Sequence, residues 1–106
     1  MIKGTTPTLT LTLPETVNLE EASRVFVTFA DKNGARLLEL TGEDLELDEN
    51  KARVFLSQKQ TLGFPGKVRV QLNWTYIEAE AVKRACTNIE TLEFTNNLKR
   101  EEVQGG

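Results

Sequence analysis

Strict alternation of apolar and polar residues recurs along this chain, and it is the feature that most restricts the fold. In "TPTLTLTLPE" (residues 6–15) Leu9, Leu11 and Leu13 share one parity and Thr8, Thr10 and Thr12 the other, the period-2 pattern of a half-buried strand. Pro7 and Pro14 bracket the run. Proline lacks an N–H and suits strand ends or a sheet edge, while threonine, branched at Cβ, favours extended backbone. Residues 6–13 are therefore expected at or near an edge. No charged residue guards that edge, so it is open to pairing with a neighbouring chain.

The alternation continues in "RVFVTFA" (24–30), where Val25, Val27 and Phe29 share a face. "DKNG" (31–34) supplies an Asn-Gly hairpin signal, and "ARLLELT" is the returning strand. "DLELD" (44–48) and "ARVFLS" (52–57) form a second hairpin across "ENK". "SQKQTLGFPG" (57–66) differs: Ser57 with Gln60 fits a capping box, and Gly63 and Pro65 stop the helix after about one turn. "KVRVQLNWTYI" (67–77) is the clearest strand, with Val68, Val70, Leu72, Trp74 and Tyr76 on one parity, and it is expected near a sheet centre. "EAEAVKRA" returns toward "CTNIETLEFTNN", in which a β-bulge between Ile89 and Leu92 would reconcile the parities.

The fold class that follows is all-β: an antiparallel, immunoglobulin-like β-sandwich of about seven strands with one short helical turn. Residues 1–98 form the single sandwich domain and residues 99–106 a flexible polar C-terminal tail. Thirteen Lys and Arg against sixteen Asp and Glu leave a net charge of −3, which argues against nucleic acid as a partner and against an anionic membrane surface. No apolar run is long enough for a signal peptide or a membrane span, and the one cysteine, Cys86, excludes an internal disulfide.

The residues offer little chemistry. There is no histidine, so the usual base near neutral pH and the imidazole metal ligand are missing, and no enzyme activity, metal or cofactor is expected. Glu43, Asp44, Glu46, Asp48 and Glu49 alternate with leucines and read as solvated strand charges rather than a calcium site. Asp31-Lys32-Asn33-Gly34 reads as a plain turn, and Asn73-Trp74-Thr75, a glycosylation sequon, as strand sequence. Trp74 and Tyr76 continue a core parity but would also suit a sugar-stacking platform. Cys86 reads as a small packed residue and Gly105-Gly106 as a flexible tail or a cloning remnant.

Phe26 and Phe55 break the inward pattern. Each lies opposite in parity to its apolar neighbours, so the two rings fall on outward faces and could join Leu37 in a contact patch. With Thr8, Thr10 and Thr12 they make the candidate interface residues of the chain: Thr8, Thr10, Thr12, Phe26, Leu37 and Phe55.

Four segments carry a family resemblance: "GTTPTLTLTLP", "VFVTFA", "LSQKQTLGF" and "VQLNWTY". Together they resemble small phage and prophage tail-associated proteins, close to the N-terminal domain of phage upper baseplate proteins. The likeness spans most of residues 4–98, and its strongest element is Gln71-Leu72-Asn73-Trp74 after the corner at 57–62. Residues 78–82 depart from it, being longer and more acidic than a short turn. The resemblance implies a structural or assembly module of the tail or baseplate, acting through contacts with other tail proteins or with its own copies. It also implies residence in the host cytoplasm during assembly and then in the virion. A carbohydrate-binding β-sandwich is the alternative that Trp74 and Tyr76 raise.

Overall fold

The structure is a computed structural model and describes residues 1–103. The chain is built from antiparallel strands: β1 (Thr8–Thr12), β2 (Arg24–Ala30), β3 (Arg36–Thr41), β4 (Leu45–Asp48), β5 (Lys51–Phe55), β6 (Lys67–Glu78), β7 (Ala81–Cys86) and β8 (Glu90–Glu93). One helix, α1 (Gln58–Leu62), and two 3-10 turns (Leu19–Glu21, Gly42–Asp44) lie in the connections. One sheet has the order β1-β5-β4. The other runs β3-β2-β6-β7, with β8 also paired to β6. The long strand β6 meets β2 along one side, while β7 and β8 take successive stretches of its other side.

Parity decides what is buried. Val25, Val27 and Phe29 of β2, Ala52 and Val54 of β5, and Val68, Val70 and Leu72 of β6 all face a common core. Removing such side chains from water supplies the main drive to fold, about 1.5–3 kcal/mol for each large one fully buried. Phe64, just after α1, stacks on Phe29 at 5.5 Å between ring centroids and meets Phe94 edge-on at 5.4 Å. Three aromatics thus tie the helical corner, β2 and the segment after β8 into one cluster.

The local signals act much as the residues suggest. Ser57 Oγ accepts from the Gln60 N–H at 3.1 Å while Gln60 Oε1 accepts from the Ser57 N–H at 2.8 Å, a reciprocal capping box. The β2–β3 turn is wider than a two-residue Asn-Gly hairpin. Asp31 Oδ1 accepts from the N–H groups of Asn33 and Ala35, and only Gly34, at φ +86°, takes the left-handed conformation. The register shifts between Phe29 and Ala30, so a bulge accompanies that turn.

Two expectations need correction. There are eight strands among the described residues, because the return from β6 is broken into β7 and β8 rather than carried by one bulged strand. Thr87 makes the break: its N–H donates to the Leu72 carbonyl oxygen (2.9 Å), and its Oγ1 accepts from the Leu72 N–H (3.1 Å). Ile89 consequently leaves the core and is exposed, whereas Leu92 and Phe94 turn inward.

The N-terminus is stitched to the segment after β8. Ile2 and Thr95 form a parallel bridge, and the Lys3 N–H donates to the Thr95 carbonyl oxygen at 3.0 Å. Val103, in the stretch from residue 99, exchanges two hydrogen bonds with the Gln58 side chain on α1. Gly105-Gly106 lies outside the described residues.

Candidate functional site

β1 is an edge strand, paired with β5 alone in the register Thr8↔Phe55, Leu9↔Val54, Thr10↔Arg53, Leu11↔Ala52 and Thr12↔Lys51. Which backbone groups it uses follows from the two bonds that flank the ladder. The Leu13 N–H donates to the Asn50 carbonyl oxygen at 2.8 Å, and the Leu56 N–H donates to the Pro7 carbonyl oxygen at 3.2 Å. Odd-numbered residues therefore turn their backbone groups toward β5. In an antiparallel pair the alternate residues turn theirs the other way. The N–H and C=O groups of Thr8, Thr10 and Thr12 thus line an edge that no other strand occupies among the described residues.

The same three threonines send their side chains to the outer face, where all are exposed, while Leu9 and Leu11 point inward and stay half-buried. Their incomplete burial has a structural cause. On one side of the sandwich the chain passes from β3 through the 3-10 turn Gly42–Asp44 into β4, so that turn connects the two sheets there. On the other side, β1 faces the end of β7 and the start of β8 across a trough of ≈ 440 Å³. Its lining includes Leu11, Leu13, Val17, Val70, Leu72 and Trp74, with Thr87, Asn88 and Glu90 opposite the edge. An unpaired, uncharged strand edge beside a trough of mixed apolar and polar lining is chemically competent to take another strand.

The six candidate interface residues separate into two groups. Thr8 is cross-strand from Phe55, so Thr8, Thr10, Thr12 and Phe55 share the outer face of the three-stranded sheet, with Phe55 53% exposed. Phe26 belongs by parity to the outer face of the five-stranded sheet, and Leu37, exposed, is the residue without a partner at the bulge in β3 of that sheet. A single patch joining Phe26, Leu37 and Phe55 is therefore ruled out, because the two rings point away from the shared core on different sheets. Phe26 is only half-exposed and lines a depression of ≈ 280 Å³ with Thr28, Glu39, Asn73, Thr75 and Arg84.

The acidic run has structural uses. Asp44 accepts from the Thr41 N–H at 3.1 Å, and Arg53 sits 2.8 Å from Glu46 and 3.9 Å from Asp48. Among the described residues no three His, Cys, Asp or Glu side chains gather where a metal ion could be held, and no helix is long and apolar enough to cross a membrane. Asn73 accepts twice from Arg84, from Nε at 3.1 Å and Nη2 at 3.0 Å. Cys86 corrects an expectation: it is exposed, at the rim of the trough, rather than packed. Trp74 packs partly buried against the core, and with Tyr76 it lines a ≈ 430 Å³ depression beside Asn18 and Glu21.

A second exposed apolar feature escapes the sequence reading. Ile77 and Val82 face each other across the β6–β7 hairpin and are 67% and 72% exposed. The signal lay in their equal distance from Ala79-Glu80, but neither residue of that turn is a turn former. Comparisons of the chain with protein-family models, with curated proteins and with solved structures found no match.

Proposed function

We propose that this domain is a structural or assembly module that works through protein contacts, in the tail or baseplate of a phage or prophage. The observation that carries the contact reading is the free edge of β1, with its unpaired backbone groups at Thr8, Thr10 and Thr12 beside the trough. Strand addition to such an edge supplies backbone hydrogen bonds, and the neighbouring trough offers both apolar and polar side chains to the added strand. The tail or baseplate assignment rests on the sequence resemblance, as do residence in the host cytoplasm during assembly and in the virion afterwards. Other tail or baseplate proteins are then its partners.

The finer fold assignment belongs to the same reading. If β7 and β8 count as one strand interrupted at residues 87–89, the sheets hold three and four strand positions, seven in all. That is the count of an immunoglobulin-like sandwich.

The gene neighbourhood tests the assignment: flanking tail-fibre, portal or lysis genes are expected, and a metabolic operon overturns it. Co-expression with the flanking tail products then tests the contact, since a stable complex is expected to form with at least one of them. A carbohydrate-binding module is the second reading, supported by Trp74 and Tyr76 at the Asn18–Glu21 depression. Calorimetric titration with oligosaccharides, repeated on Trp74→Ala, separates it from the first.

A further inference from the structure

The segment Thr8–Thr12 reads Thr-Leu-Thr-Leu-Thr, the same in both directions. A strand with that property, brought against a second copy of itself in antiparallel sense, meets an identical residue at every position. We infer that the partner of the β1 edge is a second copy of this chain, paired about a two-fold axis through Thr10. This deepens the reading of the domain as a protein-contact module and rests on it.

Three observations fix the arrangement. The free backbone groups belong to Thr8, Thr10 and Thr12, so the register that opposes Thr8 to Thr12 of the second copy, and Thr10 to Thr10, brings hydrogen-bonding positions together at every paired threonine. Sliding the copies two residues in one direction would set Pro14, which has no N–H, opposite Thr8. Charge supplies the second argument. A two-fold sets each residue opposite its own equivalent, so an edge with charges of one sign repels itself. β4 carries Glu46 and Asp48, β7 carries Lys83 and Arg84, and β8 carries Glu90 and Glu93. β3 carries Arg36 and Glu39, and β1 carries no charge.

The third observation concerns the leucines. Leu9 and Leu11 point to the core side yet stay half-buried at the open flank. Residues directly opposite in an antiparallel pair share a face, so Leu9 of one copy lies beside Leu11 of the other. The pairing joins two three-stranded sheets into one of six strands. It also extends the apolar layer across the join and covers the side of each leucine that the single chain leaves open.

Sedimentation velocity and light scattering on the purified full chain at sub-millimolar concentration are expected to give twice the chain mass. Thr10→Glu is expected to weaken the dimer about tenfold or more, because like charges then face each other across the axis, and high salt is expected to restore part of the loss. The substituted side chain lies beside Arg53 within its own sheet, which favours the fold. Thr8→Glu with Thr12→Glu is expected to dissociate the dimer as well, whereas Thr8→Lys with Thr12→Glu, which sets unlike charges opposite each other, is expected to keep it. Hydrogen exchange reads the edge pairing directly, with the Thr8, Thr10 and Thr12 amides protected in the dimer and fast on dilution.

A wild-type chain that stays monomeric overturns the second-copy proposal and leaves the edge to a strand of another protein. A dimer indifferent to both glutamate variants overturns it too, by locating the interface elsewhere. Neither result bears on complex formation with the flanking gene products, so the contact reading stands or falls separately.

Discussion

The Thr61 hydroxyl donates to the Thr5 carbonyl oxygen at 2.8 Å, joining α1 to the N-terminal segment 56 residues away. Thr61 Oγ1 in turn accepts from the Gly4 N–H at 2.9 Å, and Thr61 is fully buried. Gly4 is held at φ +81°, where a Cβ would stand only 3.0 Å from Leu62 Cδ2, so the close approach of this segment to α1 depends on glycine. Thr61→Val keeps the shape and removes both bonds. It is expected to cost about 1–3 kcal/mol, read as a lower melting temperature, with faster amide exchange at residues 2–5.

Phe64 holds together the aromatic trio through its contacts with Phe29 and Phe94. Truncation to alanine removes a buried ring and leaves a cavity among side chains from three parts of the chain. The expected loss for Phe64→Ala is about 3–5 kcal/mol, a large part of the 5–15 kcal/mol typical of a whole domain. Urea denaturation should place its midpoint well below that of Phe64→Leu, which refills most of the volume.

Gln58 holds Val103 by two bonds, donating from Nε2 to the carbonyl oxygen (2.9 Å) and accepting at Oε1 from the N–H (2.7 Å). Gln58→Glu loses the donor and sets a carboxylate oxygen against the carbonyl. Because the contact is exposed and peripheral, global stability should change by no more than about 1 kcal/mol. Limited proteolysis within residues 99–103 should accelerate clearly, which separates release of the tail from loss of the fold.

Legibility followed burial. β6 is read directly from its residues because a buried strand must alternate, and Val68, Val70 and Leu72 do so. The edge position of β1 was visible in its prolines and its lack of charge. β7 was invisible because almost every residue of "AVKRAC" is exposed, so no burial pattern is imprinted on the sequence. The parity of Phe26 and Phe55 was legible, but which sheet each strand joins is decided by long-range pairing, and that separated the two rings. The trough could not be read at all, since its walls come from β1 and from residues 86–90, brought together only by the packing of the two sheets.

The β6–β7 turn offers the last test, because its two residues take a conformation that their side chains disfavour. Ala79 and Glu80 have φ of +49° and +66°, between the paired residues Glu78 and Ala81. Two successive left-handed residues match the twist of a tight hairpin but normally call for Asn-Gly, and a non-glycine residue there costs on the order of 1 kcal/mol or more. Ala79→Asn with Glu80→Gly relieves that strain without touching the core. The expected outcome is a gain of about 1 kcal/mol, or a melting temperature higher by roughly 4–8 °C for a domain near this size. It should come with slower amide exchange along residues 77–82. A variant no more stable than the wild type would show that the hairpin turns through a different backbone conformation.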